Sequence, residues 1–384
     1  MQSSCTKAYK IAAMHSFAVG FVVLLAASAA AQQISEPQIN AGNTVTFRYA
    51  APFATRVALA VEGTRTPIPM DKSDAGLWTV TLPVLAPEIY YYHFDVDGRS
   101  TLDPHNFQIV SATNAVANSF LVPGATPQPW ETAAIPHGTV HRHTYTTKIA
   151  THYPGGQSEF YVYTPPNYDP RTATNYPVLY LLHGWSHVAA DWSGFGRANE
   201  ILDAEIASGK AHPMIVVMPT GYGDMTFVQS FQVWNNPAAV TRNTSLFASA
   251  LLTEVLPQVE RLYHVSARRE DRAIAGLSMG GLESLTVGLD HPELFAWVGG
   301  MSAAVHLVDP AATARLDPAK ANLRLLWIAC GTADDLIGPN RKLAASLKAA
   351  GFKVDTVETL NGMHTWTVWR ENLAALTPLL FQPK

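Results

Sequence analysis

A single serine lies among glycines in the stretch AIAGLSMGGLES, which spans residues 273–284. Gly276 and Gly280 each lie two positions from Ser278. Glycine destabilises the interior of helices and strands, so a cluster of glycines indicates a sharply bent backbone or very close packing. Residues 276–280 match the pattern Gly-x-Ser-x-Gly, in which a serine stands on a tight turn from a strand into a helix.

The sequence on either side of this turn fits a strand and a helix. Residues 272–275 are strand-like, and residues 279–289 have the pattern of a helix. On such a turn the serine would project as a nucleophile, and its neighbours two positions away would have to be small. The alternative is a glycine-rich helix start in which Ser278 is only the N-cap. Partner residues elsewhere in the chain therefore have to distinguish the two interpretations.

A catalytic serine needs a base that removes its proton and an acid that orients the base. Open α/β sheets keep such groups on the loops that follow strand ends. Downstream of the serine, Asp334 and Asp335 follow one predicted strand and His364 follows the next. His291 lies instead at the end of the helix that Ser278 begins. We therefore expect His364 to be the base and one of the two adjacent aspartates to be the acid.

Residues 1–31 have the features of a secretory signal peptide. Lys7 and Lys10 precede an apolar run that is too short to span a membrane. Cleavage would remove both lysines and change the net charge from −4 to −6, and an acidic chain is not expected to bind nucleic acid. Cys330 would then be the only cysteine, which excludes an internal disulfide and predicts a buried core residue. We expect a secreted or periplasmic protein without a membrane segment.

Two regions of different periodicity follow the signal peptide. Residues 32–122 alternate apolar and polar side chains between short turns, which predicts a small all-β sandwich of the immunoglobulin-like type. Residues 123–138 are rich in proline and predict a linker. Residues 139–384 contain near-continuous apolar runs separated by helical stretches, a pattern typical of a parallel sheet with helices on both faces. The predicted fold class is therefore α/β, with a small β-sandwich in front.

Four motifs together resemble carbohydrate esterase family 1. They are residues 180–184 (YLLHG), 276–281 (GLSMGG), 330–334 (CGTAD) and 362–366 (GMHTW). This family includes feruloyl esterases and acetylxylan esterases, and enterochelin esterases are similar in architecture. The β-rich region also resembles the immunoglobulin-like early-set domains that precede many secreted esterases. The resemblance covers nearly the whole mature chain and implies an α/β-hydrolase fold.

The resemblance also implies a role for each candidate residue. Ser278 would attack the ester carbonyl, and His364 would take and return the proton. Asp334 fits the Gly-x-x-Asp pattern of the family and would orient His364. The backbone N–H groups of Trp185 and Met279 would form the oxyanion hole, because donors are needed where negative charge develops.

Weaker candidates lie outside these motifs. Asp191, Trp192 and Trp234 follow strands of the family pattern and are candidates for lining the substrate pocket, although an aromatic residue more often serves packing. A histidine-rich strand at residues 137–143 has no carboxylate nearby in sequence, so no metal site is expected. The tyrosines at residues 90–92 are candidates for a sugar-binding platform, but alternation places two of the three in the core.

The resemblance implies a secreted serine esterase that cleaves feruloyl or acetyl esters from plant cell-wall polysaccharides. No metal or organic cofactor is required for that chemistry. Two alternatives stay open: a hydrolase of siderophore esters, and a non-catalytic carbohydrate-binding protein. A binding protein has no need for a serine, an acid and a histidine together, which favours an enzyme. Since every candidate catalytic residue follows the linker, residues 139–384 are expected to hydrolyse small esters alone.

Overall fold

The computed structural model describes residues 37–113, 116–172, 175–305 and 316–383. The predicted signal peptide lies outside the described residues. Within the described part, the chain forms an all-β region followed by a larger α/β region. No helix in these ranges has both the length and the apolar character needed to cross a membrane.

The all-β region is a sandwich of two antiparallel sheets. Its strands are β1 (Gln38–Ile39), β2 (Val45–Ala50), β3 (Val57–Val61), β4 (Ile68–Pro69), β5 (Asp71–Lys72), β6 (Leu77–Leu82), β7 (Glu88–Val96), β8 (Arg99–Thr101), β9 (Ile109–Ser111) and β10 (Val116–Val122). One sheet has the order β1-β2-β6-β5; the other has the order β4-β3-β7-β10-β9, with β8 paired to β7. Val45, Phe47, Leu59 and Phe94 are fully buried between the sheets. The four strands predicted from alternation are β2, β3, β6 and β7.

The α/β region is built on one mixed sheet. Its strands are β11 (Thr139–Thr146), β12 (Gln157–Thr164), β13 (Val178–Leu182), β14 (Ile215–Pro219), β15 (Arg272–Leu277), β16 (Trp297–Met301), β17 (Leu325–Gly331) and β18 (Asp355–Thr359). The order is β11-β12-β14-β13-β15-β16-β17-β18. Strand β12 runs antiparallel to both neighbours, and the strands from β14 onward are parallel. This arrangement is that of the α/β-hydrolase fold, as predicted.

Helices cover both faces of this sheet. They are α1 (Asp191–Gly194), α2 (Ala198–Ala207), α3 (Pro237–Ala250), α4 (Leu256–Leu262), α5 (Met279–Asp290), α6 (Pro318–Ala321), α7 (Ile337–Ala349) and α8 (Trp366–Leu376). A π-helical segment, Leu251–Val255, joins α3 to α4. Leu179 and Leu181 of β13 pack with α2 and α8, whereas Tyr180 and Leu182 pack with α3 and α5 on the other face. The sheet is therefore buried on both sides, which explains its near-continuous apolar strands.

Strand β16 was not predicted, because Gly299 and Gly300 interrupt its apolar pattern. A Cβ atom on Gly300 would lie 2.7 Å from Cδ1 of Leu285 in α5. Such an approach is closer than carbon atoms tolerate, so glycine permits α5 to pack tightly against the strand. The glycines that conceal this strand in the sequence are thus a requirement of its packing.

The sandwich packs directly onto the α/β region. Arg370 of α8 is completely buried and donates hydrogen bonds to Glu88 of the sandwich (3.1 Å) and to the Phe195 carbonyl (2.8 Å). The Tyr91 hydroxyl also donates to the Phe195 carbonyl, at 2.5 Å. Trp130, in the predicted linker, is buried in the same layer of side chains. The contact between the two regions is therefore an extension of the core and includes the linker.

The three consecutive tyrosines do not form an exposed platform. Tyr92 is buried in the sandwich core, and the ring of Tyr90 stacks on Phe120 with centroids 5.5 Å apart. Tyr91 points the other way, as alternation requires, but it packs edge-on against Phe195 of the α/β region. All three rings therefore have packing roles, and the candidate sugar platform is not present at this position.

Candidate active site

Ser278 lies on the turn between β15 and α5 in a strained backbone conformation, with φ at 53° and ψ at −113°. A Cβ atom on Gly276 would lie 2.4 Å from the Gly280 carbonyl oxygen, and one on Gly280 would lie 2.5 Å from the His183 carbonyl oxygen. Larger residues at either position would collide with backbone. The Ser278 side chain makes no hydrogen bond to the first turn of α5. The alternative interpretation of Ser278 as a helix cap is therefore wrong, and its hydroxyl is available elsewhere.

The structure brings Ser278, His364 and Asp334 together. Nε2 of His364 lies 3.0 Å from Oγ of Ser278, and Nδ1 lies 2.8 Å from Oδ2 of Asp334. A carboxylate beside Nδ1 holds the proton on that nitrogen and leaves Nε2 free to accept the serine proton. The Asp335 side chain is 86% exposed instead and pairs with Arg65 at 3.5 Å. Only the first of the two aspartates therefore contacts His364.

Asp334 is held in its ionised form although it is buried. Burial opposes the charge, but the hydrogen bonds from His364 and from the N–H of Leu336 outweigh it, so the pKa of Asp334 lies below its usual value. The Leu336 N–H donates to Oδ1 at 2.9 Å. Each carboxylate oxygen thus has a defined donor. This carboxylate is fixed in both charge and orientation.

His364 is also fixed by packing. Its ring meets the Trp369 ring edge-on, with centroids 4.9 Å apart and planes at 89°. The Trp369 indole N–H donates to Oγ of Ser302 at 3.2 Å, which holds the indole in place. His364 therefore keeps one ring orientation relative to Ser278, as a general base requires.

The loop after β13 passes directly beside the serine. A Cβ atom on Gly184 would lie 3.2 Å from Cβ of Ser278. The buried side chain of His183 anchors this loop to the segment that follows β14. Its Nδ1 pairs with the Gly184 carbonyl and its Nε2 accepts the Gly221 N–H, both at 2.8 Å. Burial lowers the pKa of His183 to about 4, so the ring is neutral and able to act as that acceptor. Its side chain therefore shapes the turn.

The two N–H groups predicted for the oxyanion hole belong to segments that border Ser278. Met279 is the first residue of α5, and the first four N–H groups of a helix have no acceptor within the helix. Trp185 follows Gly184 in the loop beside the serine, and its indole N–H donates to the Phe227 carbonyl at 2.9 Å. The partial positive charge of the helix N-terminus also favours an anion at this position.

The serine opens into a cavity of about 940 Å³. On one side its wall includes Trp185, Phe231 and Trp234, of which Phe231 is 68% exposed. Another part is formed by His187, Phe195 and Trp366, where the rings of Phe195 and Trp366 stack 5.7 Å apart. The sandwich supplies further wall residues, including Glu62, Tyr91 and His93. The cavity wall thus carries several large aromatic side chains and is formed by both regions of the chain.

Two of the predicted pocket residues do not face the cavity. Trp192 is fully buried and its indole N–H donates to the Leu182 carbonyl at 2.9 Å. Asp191 is also buried, and its Oδ2 lies 2.8 Å from Nδ1 of His187. Their prediction as substrate-binding residues was wrong, because a position after a strand does not fix the direction of a side chain. Asp191 instead orients His187, which does line the cavity.

The remaining candidates have simple placements. Trp234 lines the cavity, while Cys330 is buried in β17, where burial raises the pKa of its thiol to about 12. His137 pairs with Asp203 at 2.9 Å. Within the described residues, no group of three or more histidine, cysteine or acidic side chains is arranged to hold a metal ion.

The contribution of the sandwich to the cavity was not predicted, since no local pattern signals it.

The fold and the arrangement of serine, histidine and aspartate define an α/β-hydrolase. Residues 151–380 match the sequence model of the putative esterase family, and the chain belongs to that family. It is 30% identical over 356 residues to an endo-1,4-β-xylanase/feruloyl esterase of Xylanibacter ruminicola. That alignment covers 90% of this chain but only 46% of the relative, so the chain spans less than half of that protein.

Solved structures show the same fold. A carbohydrate esterase family 1 ferulic acid esterase of Anaeromyces mucronatus is 22% identical with a TM-score of 0.56, covering 67% of this chain and 96% of its own. An enterobactin esterase of Shigella flexneri is 18% identical with a TM-score of 0.66, covering 88% of this chain and 92% of its own. Together with the family match, these similarities confirm the predicted fold and the resemblance to carbohydrate esterase family 1.

Proposed function

We propose that this chain is a serine carboxylic-ester hydrolase. The observation that carries the proposal is the unbroken series of hydrogen bonds from Ser278 through His364 to Asp334 at the wall of a large cavity. Ser278 Oγ attacks the ester carbonyl while His364 Nε2 takes its proton, and the carboxylate of Asp334 stabilises the imidazolium. The N–H groups of Trp185 and Met279 donate to the oxyanion that forms.

The second half of the reaction uses the same groups. The tetrahedral intermediate collapses when His364 returns the proton to the departing alcohol oxygen, leaving an acyl ester on Ser278. Water then attacks the acyl carbon, with His364 again taking the proton. Collapse of the second intermediate releases the acid and regenerates the serine.

We propose feruloyl or acetyl esters on plant cell-wall polysaccharides as the substrates. Stacked aromatic side chains such as Phe195 and Trp366 suit a planar aromatic acyl group. A cavity of about 940 Å³ is far larger than an acetyl group and leaves room for attached sugar units. The relative from Xylanibacter ruminicola carries both xylanase and feruloyl esterase in its name. These observations favour a hydroxycinnamoyl ester over acetyl.

A siderophore ester is the second candidate substrate. The similarity to the enterobactin esterase extends over 88% of the chain, whereas the similarity to the ferulic acid esterase covers 67%. The wider match therefore reaches beyond the α/β region. Conversely, a non-catalytic carbohydrate-binding role is disfavoured, because binding alone gives no reason for an ionised Asp334 and an oriented His364 beside Ser278.

We also propose that the enzyme acts outside the cytoplasm, in the periplasm or secreted. The basic start, the apolar run and the small residues within residues 1–31 support export. Plant polysaccharides are too large to enter a cell, so an external location suits the proposed substrate.

The substrate is tested with the chain lacking its predicted signal peptide, on methyl ferulate, acetylated xylan and enterobactin at matched ester concentrations. We expect kcat/KM for methyl ferulate to exceed that for the other two by about tenfold or more, the effect of roughly one well-filled aromatic subsite. A clear preference for enterobactin would transfer the proposal to siderophore esters. Hydrolysis of none of these, nor of p-nitrophenyl acetate, would refute the esterase proposal.

A further inference from the structure

A carboxylate of the sandwich caps the helix that begins just after His364. Glu62 follows β3, and its Oε1 accepts hydrogen bonds from the N–H groups of Trp366 (2.6 Å) and Thr367 (3.4 Å), the first two residues of α8. The Glu62 N–H donates to the Tyr91 carbonyl at 2.8 Å, which anchors its backbone to the neighbouring strand. The two regions of the chain thus meet at the helix end nearest His364.

Helix α8 has no side-chain cap of its own. Thr365 occupies the cap position, but it makes no capping hydrogen bond, because its hydroxyl pairs with the Thr367 hydroxyl at 2.8 Å. The first N–H groups of a helix need acceptors from outside it, and a negative charge there is stabilised by the helix dipole. Glu62 supplies that acceptor from a distant part of the chain, although burial raises the pKa of its carboxyl.

His364 lies on a short connection whose two ends are both anchored. On the upstream side, the Ala333 N–H donates to the Gly362 carbonyl at 2.9 Å, which ties the connection to the loop of Asp334. On the downstream side, α8 begins two residues after His364, at the N–H groups that Glu62 accepts. The first anchor lies within the α/β region, whereas the second depends on the sandwich.

We propose that Glu62 is a positioning residue for His364: by capping α8 it fixes the downstream end of the connection that carries the imidazole. This inference rests on the proposed role of His364 as the general base. Without the cap, the first turn of α8 loses its acceptor, and the imidazole loses its fixed distance from Ser278. A displacement of about 1 Å at a reacting group can lower turnover by about a hundredfold.

The alternative to a positioning role is direct contact with the substrate, since Glu62 also lines the cavity and its buried Oε2 has no hydrogen-bond partner within the described residues. A carboxylate oxygen in that position can accept a substrate hydroxyl. The two roles differ in kinetics, because lost substrate contacts raise KM, whereas a displaced base lowers kcat. The experiment therefore separates these parameters.

The test compares Glu62→Ala and Glu62→Gln with Glu88→Gln as the matched control. Glu88 belongs to the same contact between the two regions and pairs with Arg370, but it accepts no hydrogen bond from the first turn of α8 and does not line the cavity. We expect Glu62→Ala to lower kcat on methyl ferulate and p-nitrophenyl acetate by about 10- to 100-fold, with KM changed by less than about threefold. Glu62→Gln keeps an oxygen acceptor, so its kcat should fall less than that of Glu62→Ala. If the alanine variant does not fold, the kcat of Glu62→Gln still tests the proposal.

The proton between His364 and Asp334 gives a readout that needs no turnover. We expect the low-field proton NMR signal of this proton to broaden or disappear in Glu62→Ala and to persist in Glu88→Gln. The kcat of Glu88→Gln should stay within about threefold of the wild-type value. A raised KM with unchanged kcat, or equal losses in the Glu62 and Glu88 variants with an unchanged proton signal, would overturn the proposal. If the unchanged chain shows the signal but hydrolyses no ester, the esterase proposal fails while the positioning role is still decided by the signal.

Discussion

The choice between the adjacent aspartates gives the sharpest prediction, because an amide replacement of Asp334 conflicts with two donors at once. In the structure Oδ1 accepts the Leu336 N–H and Oδ2 faces Nδ1 of His364. An asparagine that keeps its oxygen toward Leu336 turns its NH2 toward Nδ1 and forces the imidazole proton onto Nε2, which faces Ser278. The opposite orientation leaves a buried N–H without an acceptor, at a cost of about 1–3 kcal/mol. The first orientation, with the wrong tautomer, should therefore prevail.

We expect Asp334→Asn to lower kcat by about ten-thousandfold at neutral pH, equivalent to about 5.5 kcal/mol of activation free energy. Asp335→Asn removes only an exposed pair with Arg65, of a kind that contributes about 1 kcal/mol or less, so its kcat should fall by less than about tenfold. Both variants are measured on one chromogenic ester, with circular dichroism to establish that each is folded. Equal losses, or a larger loss for Asp335→Asn, would refute the assignment of the acid.

Three further outcomes are expected. Ser278→Ala should reduce turnover of every ester to the background rate with an unchanged melting curve, and substantial remaining activity would contradict the nucleophile. Burial raises the pKa of Cys330 to about 12, so its thiol is protonated at pH 8. A chromogenic disulfide reagent should therefore react with Cys330 only as fast as the chain unfolds. Rapid reaction with the folded protein would contradict this expectation. Removing the sandwich exposes the aromatic surface that it covers on the α/β region. Contrary to the expectation from sequence, residues 139–384 expressed alone should therefore aggregate or lose at least about tenfold in kcat on p-nitrophenyl acetate. Full activity of this segment would show that the sandwich is dispensable.

The turn around Ser278 was predictable because its requirements are local. Five residues determine the steric demands of the turn. Positions 276 and 280 require glycine, because a Cβ atom at either position would lie about 2.5 Å from backbone atoms. The apolar runs that became β13, β14 and β17 were equally clear, since a strand buried on both faces leaves a strong pattern. Strand β16 was missed where close packing replaced apolar side chains by glycines.

The walls of the cavity were less predictable, because they depend on side-chain direction and on contacts between distant segments. Asp191 and Trp192 follow a strand as pocket residues do, yet both turn into the protein. Alternation correctly directs Tyr91 away from the sandwich core, but nothing in the local pattern shows that another part of the chain covers that face. The same holds for Glu62, whose partners lie in the last helix.

The distance along the chain between these partners determines when the site is assembled. The hydrogen bond from Trp366 to Glu62 joins residues 304 positions apart, and the pair of Arg370 and Glu88 spans 282 positions. At synthesis rates of about 5–20 residues per second, the complete sandwich precedes α8 by roughly 10–50 s. Contacts of such long range form late in folding, after shorter-range structure is in place. Docking of α8 therefore brings the proposed base into position and closes the contact with the sandwich in the same step, so a nascent chain can acquire its proposed activity only after α8 has been synthesised.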